Sequence, residues 1–276
     1  PAPRPSEPQI LPLSGVGEPG EPPVFGDYKI DAGRRAGEWA KIRVPSNWET
    51  EGFGTFYYGV QGRGKPDTDP VIPKHQGTYR TKFSVPADWQ GQAIRIVFEA
   101  AMTDTTVTIN GQPAGPTHQG GFYRFHYDIT SLVKIGAENT LEVLVANESS
   151  NKSVNHAERR GDYWAFSGIY RPVWLEARPL QHIEWTAIDA KAGGSFYADV
   201  HLGAPLPAGA NARVTAQILD EKNQPVGEPF TAPVDNTGLL AVIRGNIAQP
   251  KLWTAETPHL YSVRFSLAGP DLASAP

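Results

Sequence analysis

No long stretch of this chain places apolar residues at the i, i+3, i+4, i+7 spacing of an amphipathic helix. From Gly77 onwards they alternate instead. Tyr79, Thr81, Phe83 and Val85 fall on one face, with Arg80, Lys82 and Ser84 on the other. Ile94, Ile96 and Phe98 repeat the pattern against Arg95 and Glu99. Glycine (28) and proline (26) are both abundant in the 276 residues, which supplies turns at short intervals. These features together predict an all-β protein.

The strands divide into two groups. Trp39–Val44, the stretch from Gly77, Phe122–Tyr127 and the run Leu141, Val143, Val145 belong to the first. Asn110-Gly111, after Val107 and Ile109, reads as a two-residue hairpin turn. Asp128-Ile129-Thr130 reads as a capped turn before Leu132. Such spacing predicts a jelly-roll β-sandwich over 24–179. Beyond Arg178-Pro179-Leu180 come Ile183 and Trp185, then Phe196 to Leu202, Val214 to Ile218, a turn at Glu221 to Pro225, and Tyr261 to Leu267. This second group predicts an immunoglobulin-like sandwich over 180–268, without the cysteine pair. Residues 1–23 are too rich in proline for a helix or a central strand and read as an extended arm. Residues 269–276 read as a tail towards a further domain.

Composition narrows the function. A net charge of −4 and a pI near 6.0 argue against a nucleic-acid partner or an anionic membrane surface. No apolar run approaches a membrane span. The absence of cysteine excludes disulfides and thiolate metal sites. The only methionine is Met102, so the sequence reads as a processed or trimmed product. A bacterial periplasmic or secreted location is expected, with the cytoplasm left open. Two phosphate-binding patterns are noise. Gly15-x-Gly17-x-x-Gly20 contains Pro19 and has no strand before it, and Gly59-x4-Gly64-Lys65 continues with Pro66. The seven histidines are scattered, so neither a metal nor a cofactor is expected. Asn147-x-Ser149 and Asn151-x-Ser153 are sequons, meaningful only in a eukaryotic secretory host.

The stretch that asks for a function is Arg159 to Glu176, RRGDYWAFSGIYRPVWLE. Aromatic rings beside a carboxylate suit a sugar, the ring taking its C–H face and the carboxylate its hydroxyls. Asp162, Tyr163 and Trp164 are the candidates here. The structural alternative is that the rings plug a sandwich edge while Asp162 neutralises Arg159 or Arg160. A second candidate stretch, His118-Gln119-Gly120-Gly121-Phe122-Tyr123-Arg124, offers His118 and Arg124 as a polar rim. Its structural alternative, the favoured one, is a strand-entry turn with rings facing the core.

Asp162-x-Trp164-x-x-Ser167-Gly168-Ile169-x-Arg171 resembles the motif closing the N-terminal sugar-binding domain of family 2 glycoside hydrolases, the beta-galactosidase and beta-glucuronidase family. Pro45-Ser46-Asn47-Trp48, Gly77-Thr78-Tyr79, Val107-Thr108-Ile109-Asn110-Gly111 and Phe125-x-Tyr127-Asp128-Ile129-Thr130 stand in the family's order. Pro250 to Tyr261 resembles the end of its second domain. The resemblance implies that Asp162 reaches into the catalytic pocket and helps hold the sugar. It also implies that both catalytic glutamates lie in a following (β/α) barrel, which needs about 250 residues more. Asn147-Glu148 is similar to the family's acid/base pair but lacks the preceding Trp-Ser, and reads as two polar side chains facing solvent. The expected function is a non-catalytic N-terminal part of such an enzyme, with a carbohydrate and the missing barrel as partners and homo-oligomers possible in the parent. A free-standing carbohydrate-binding module and a structural spacer are the alternatives. Galactose specificity is in doubt, because Tyr58-Gly59-Val60 stands where those beta-galactosidases carry a sugar-contacting asparagine.

Overall fold

The computed structural model describes residues 8–14, 24–58, 74–207 and 210–269. They form two compact units, Pro8–Ala177 and the residues from Arg178 onwards.

The first unit contains β1 (Gln9–Pro12), β2 (Val24–Ile30), β3 (Ala40–Arg43), β4 (Gln76–Ser84), β5 (Ala93–Phe98), β6 (Asp104–Ile109), β7 (Gln112–Pro113), β8 (Phe125–Asp128), β9 (Glu138–Ala146), α1 (Lys152–Glu158) and β10 (Val173–Arg178). A six-stranded sheet runs β3-β2-β4-β9-β6-β7 and a four-stranded sheet β1-β10-β5-β8. Period-two alternation does the work. Along β4, Gly77, Tyr79 and Phe83 are buried while Arg80, Lys82 and Ser84 face solvent. Along β9, Leu141, Val143 and Val145 point inwards. Between the sheets Tyr28 packs on Phe53, Tyr79 and Trp48, with centroids 4.8, 4.7 and 6.1 Å away. Asn110 and Gly111 both adopt positive φ (51° and 80°), as a two-residue hairpin requires, and join β6 to β7. Thr130 N–H donates to Asp128 Oδ1 at 2.8 Å, which closes the expected turn.

Three details differ from the sequence reading. The arm is not all linker: β1 pairs antiparallel with β10, and Ser14 Oγ accepts the Val173 N–H at 2.7 Å. β1 lies at the sheet edge, where a proline such as Pro12 is tolerated. Residues 15–23 lie outside the described residues. The strand expected from Phe122 starts at Phe125. The short α1 follows an N-cap at Asn151, whose side chain accepts the Ser153 N–H. Seven residues are too few for a helical periodicity to register.

The second unit pairs β11 (Ile183–Ala190), β12 (Ser195–Leu202) and β15 (Leu240–Asn246) in one sheet, and β14 (Phe230–Pro233), β13 (Arg213–Leu219) and β16 (Ser262–Ala268) in the other. Phe196, Ala198, Val200, Val214, Ala216, Ile218, Ala241 and Ile243 fill the space between them. β14 and β15 escaped the sequence reading. Trp185 lies on the outer face and stacks on His201 at 3.7 Å. The tail from 270 lies outside the described residues.

Candidate functional site

Asp162, Tyr163 and Trp164 sit together on a loop that leaves α1 and returns towards β10. Gly168 pairs with Met102 through both backbone groups (2.9 and 3.0 Å), and Ser46 and Trp48 donate to the Ile169 and Ser167 carbonyls. The Pro45–Trp48 segment therefore supports the loop from one side. Trp48 is fully buried and anchors that segment.

All three candidates on this loop are exposed, Trp164 by 53%. A segment distant in sequence completes the arrangement. Ala165 N–H donates to the Tyr57 carbonyl at 2.8 Å, and Tyr58 and Trp164 form an antiparallel bridge. Tyr58 Oη donates to Asp162 Oδ1 at 2.5 Å, and that bond holds the Tyr58 proton more tightly, raising its pKa. Around the carboxylate stand edge-to-face rings: Tyr58–Trp164 at 5.2 Å, Phe56–Trp164 at 6.1 Å and Phe56–Phe166 at 6.2 Å. The Arg34 guanidinium lies 4.9 Å from the Phe56 centroid. The result is an exposed aromatic shelf with a positioned carboxylate. Chemically it offers a C–H-binding surface beside a strong hydroxyl acceptor.

Beneath the shelf lie two ionisable side chains. Arg159 is 1% exposed and donates from Nη1 to the Phe166 carbonyl (2.7 Å) and from Nη2 to Ser167 Oγ (3.1 Å). Glu49 is 2% exposed, and its Oε2 accepts the Ser167 N–H at 3.0 Å. Burial pushes the Glu49 carboxyl up to about 7, against the pull of its hydrogen bonds and the Arg159 charge. Burial lowers the Arg159 pKa in turn. The structural alternative paired Asp162 with Arg159 or Arg160; the Arg159 guanidinium donates to Phe166 and Ser167.

His118 and Arg124 face elsewhere. The His118 ring stacks on Phe125 at 3.7 Å, with Nε2 3.0 Å from the Gly120 carbonyl, and burial lowers its pKa. Arg124 pairs with Glu99 at 2.7 Å and covers the Trp174 ring at 5.3 Å. Phe122 and Tyr123 are about half exposed, at 53% and 51%, so the expected inward-facing rings are corrected. The neighbouring glycines leave this segment without the alternation that would bury them. It joins the Asp162 loop through its backbone: Gly121 N–H donates to Glu158 Oε2 (2.7 Å) and its carbonyl accepts Tyr170 Oη (2.5 Å).

Asn147 does not face solvent. It is buried, and its Oδ1 accepts the His75 N–H at 2.8 Å. Gly59 and Val60 lie outside the described residues. No group of three or more His, Cys, Asp or Glu side chains able to hold a metal occurs among the described residues.

The first unit is a two-layer antiparallel sandwich that presents rings and a carboxylate at its loops. Residues 34–179 match the family model "Glycosyl hydrolases family 2, sugar binding domain", and residues 181–273 match "Glycosyl hydrolases family 2". The chain belongs to glycosyl hydrolase family 2. It is 30% identical over 243 residues to a beta-galactosidase of Pseudoalteromonas haloplanktis, covering 84% of this chain and 23% of that protein. A beta-galactosidase of Alteromonas mediterranea is 30% identical over 248 residues, covering 86% and 23%. The chain thus spans about a quarter of the length of the curated relatives it matches. Among solved structures, a beta-glucuronidase of Bifidobacterium dentium superposes with a TM-score of 0.69 at 23% identity, covering 99% of this chain and 47% of that one. That likeness shows the fold.

Proposed function

We propose that this chain is the non-catalytic, sugar-facing part of a family 2 glycoside hydrolase and forms one wall of its substrate pocket. The observation that carries the reading is the exposed Asp162, held by Tyr58 among the rings of Phe56, Trp164 and Phe166. A side chain fixed at the surface by a hydrogen bond from a distant segment is placed for contact.

The partner is a carbohydrate, a glycan or oligosaccharide that meets Asp162. Hydrolysis requires two carboxyl groups about 5–5.5 Å apart across the scissile bond in a retaining enzyme. Glu148 has no such role here: its carboxylate accepts from Asn155 Nδ2 at 3.4 Å and lies 3.9 Å from Lys74. The reacting pair belongs to a barrel beyond this segment. The substrate class in this reading is a β-linked hexose or hexuronic acid, which relatives named beta-galactosidase and putative beta-glucuronidase support. A bacterial periplasmic or secreted setting fits such a substrate. No helix among the described residues is long and apolar enough to cross a membrane.

The test uses aryl β-galactoside, β-glucuronide, β-glucoside and β-mannoside. The chain alone should turn over none of them. In a protein extended through the barrel, Asp162→Ala should lower kcat/KM by roughly 10–100-fold, the loss of one charge-assisted hydrogen bond of about 1.5–3 kcal/mol. Turnover by the chain alone that one Asp or Glu substitution abolishes would refute the reading.

A further inference from the structure

The Asp162 loop has an unusual foundation. Between Arg159 and Ser167 the chain runs out to solvent and back, and Arg159 spans the neck of that excursion with two hydrogen bonds from one guanidinium. Glu49, in the turn that follows β3, grips the same neck through the Ser167 N–H. Ser167 is fully buried between them. Glu49 is itself fixed, since Arg34 Nη2 donates to its carbonyl at 2.9 Å and Trp48 N–H to the Ser167 carbonyl at 3.2 Å.

Stability alone does not explain this choice of residues. Burying a guanidinium carries a large desolvation cost, and an apolar side chain of similar volume often serves a core as well or better. Arg159 Nε has no hydrogen-bond partner among the described residues, so even the desolvation of this one side chain is only partly offset. What the guanidinium supplies, and an apolar chain lacks, is direction: a planar fork aimed at two fixed acceptors.

Resting on the reading of the loop as sugar-facing, we infer that Arg159 and Glu49 are positioning residues. They clasp Ser167 from two sides and so hold the intervening loop, with Asp162 and Trp164, in the orientation that meets the sugar. A loop ordered before binding escapes the entropy cost of ordering on binding. The clasp explains how an exposed, glycine-containing loop keeps its rings in edge-to-face contact with Phe56 and Tyr58.

Amide hydrogen exchange on this chain without sugar tests the inference. The reporters are the Ala165 and Ser167 amides, bonded to the Tyr57 carbonyl and to Glu49. Tyr79 and Val143, paired in the β4–β9 ladder, serve as the core reference. In Arg159→Met, Ala165 and Ser167 should exchange roughly 10–100-fold faster while the reference amides keep their rates. Arg159→Lys should fail to restore protection, because an ammonium cannot reproduce the planar fork. Should Arg159→Met not fold, Ser167→Ala, which removes only the Oγ acceptor, should loosen Ala165 selectively. Unchanged loop exchange in a folded variant, equal acceleration in loop and core, or full rescue by lysine would overturn the inference. Because no sugar is present, this result stands apart from the fate of the sugar-binding reading.

Discussion

Gly168→Ala is expected to destabilise the first sandwich by about 2–5 kcal/mol, seen as a fall in Tm of roughly 5–15 °C. Gly168 has φ = +105°, a region that side-chain-bearing residues rarely occupy. A Cβ there would stand 2.7 Å from Tyr79 Oη and 3.3 Å from the Ser46 carbonyl oxygen. Neither neighbour can retreat. Tyr79 is fully buried and accepts the Ile169 N–H, and Ser46 is bonded through its N–H to the Ile169 carbonyl. Backbone strain and overpacking therefore add. Gly91 provides the control: its φ is +81°, but nothing lies within 4 Å of a Cβ added there. Gly91→Ala should lose only the backbone part, about 1–2 kcal/mol. Thermal melts followed by circular dichroism compare the two. Equal losses would show that the crowding around Gly168 is unimportant.

The second large effect concerns pH. Glu49 titrates near 4.5 when unfolded and at about 7 when folded. Between those values the native state holds a proton that the unfolded chain has released, so stability falls as pH rises through that window. The gap corresponds to about 3 kcal/mol, fully expressed above pH 7 and absent below the unfolded pKa. Buried His75 and half-buried His118, whose pKa values are lowered, act the other way, removing stability as pH falls below the usual histidine value. The informative quantity is accordingly the difference between the wild type and Glu49→Gln. Denaturant unfolding from pH 5 to 8 should find the variant gaining on the wild type by roughly 2–3 kcal/mol across the range. A flat difference, or one of opposite sign, would mean that Glu49 is not the buried acid described here.

What the sequence made legible and what it hid follow from the range of the interactions involved. The alternation of Tyr79, Thr81, Phe83 and Val85 is local, and it pointed to β4. Asn110-Gly111 needs only its own two dihedrals to declare a hairpin. Asp162, Tyr163 and Trp164 were visible because an aromatic-rich stretch with a carboxylate is unusual in itself. Phe56 was not, and Tyr58 was singled out only through the family resemblance, since the meeting of Tyr58 with Asp162 joins segments 104 residues apart. Glu49 drew no notice in the sequence, and Arg159 entered only as a possible partner of Asp162. Their burial is a property of the assembled sandwich, and the only local hint was their adjacency to the Trp48 and Asp162 motifs. β15 was missed because its buried face holds Ala241 and Ile243, one of them too small to mark a pattern. β1 was hidden by Pro12 and the prolines around it in sequence, which weigh against a central strand but not an edge strand.

The central claim is that the shelf around Asp162 meets a sugar. Titrating the ¹⁵N-labelled chain with methyl β-galactoside and methyl β-glucuronide, while following the Trp164 indole and the amides of residues 160–167, tests it most directly. A half-site leaves most sugar hydroxyls in water, so the expected affinity is millimolar or weaker, about 4 kcal/mol at most. The predicted result is saturable shifts confined to that loop and to Phe56 and Tyr58, lost in Asp162→Ala with little change in Tm. Loop signals that stay still well above millimolar sugar, or shifts that survive the loss of Asp162, would contradict it.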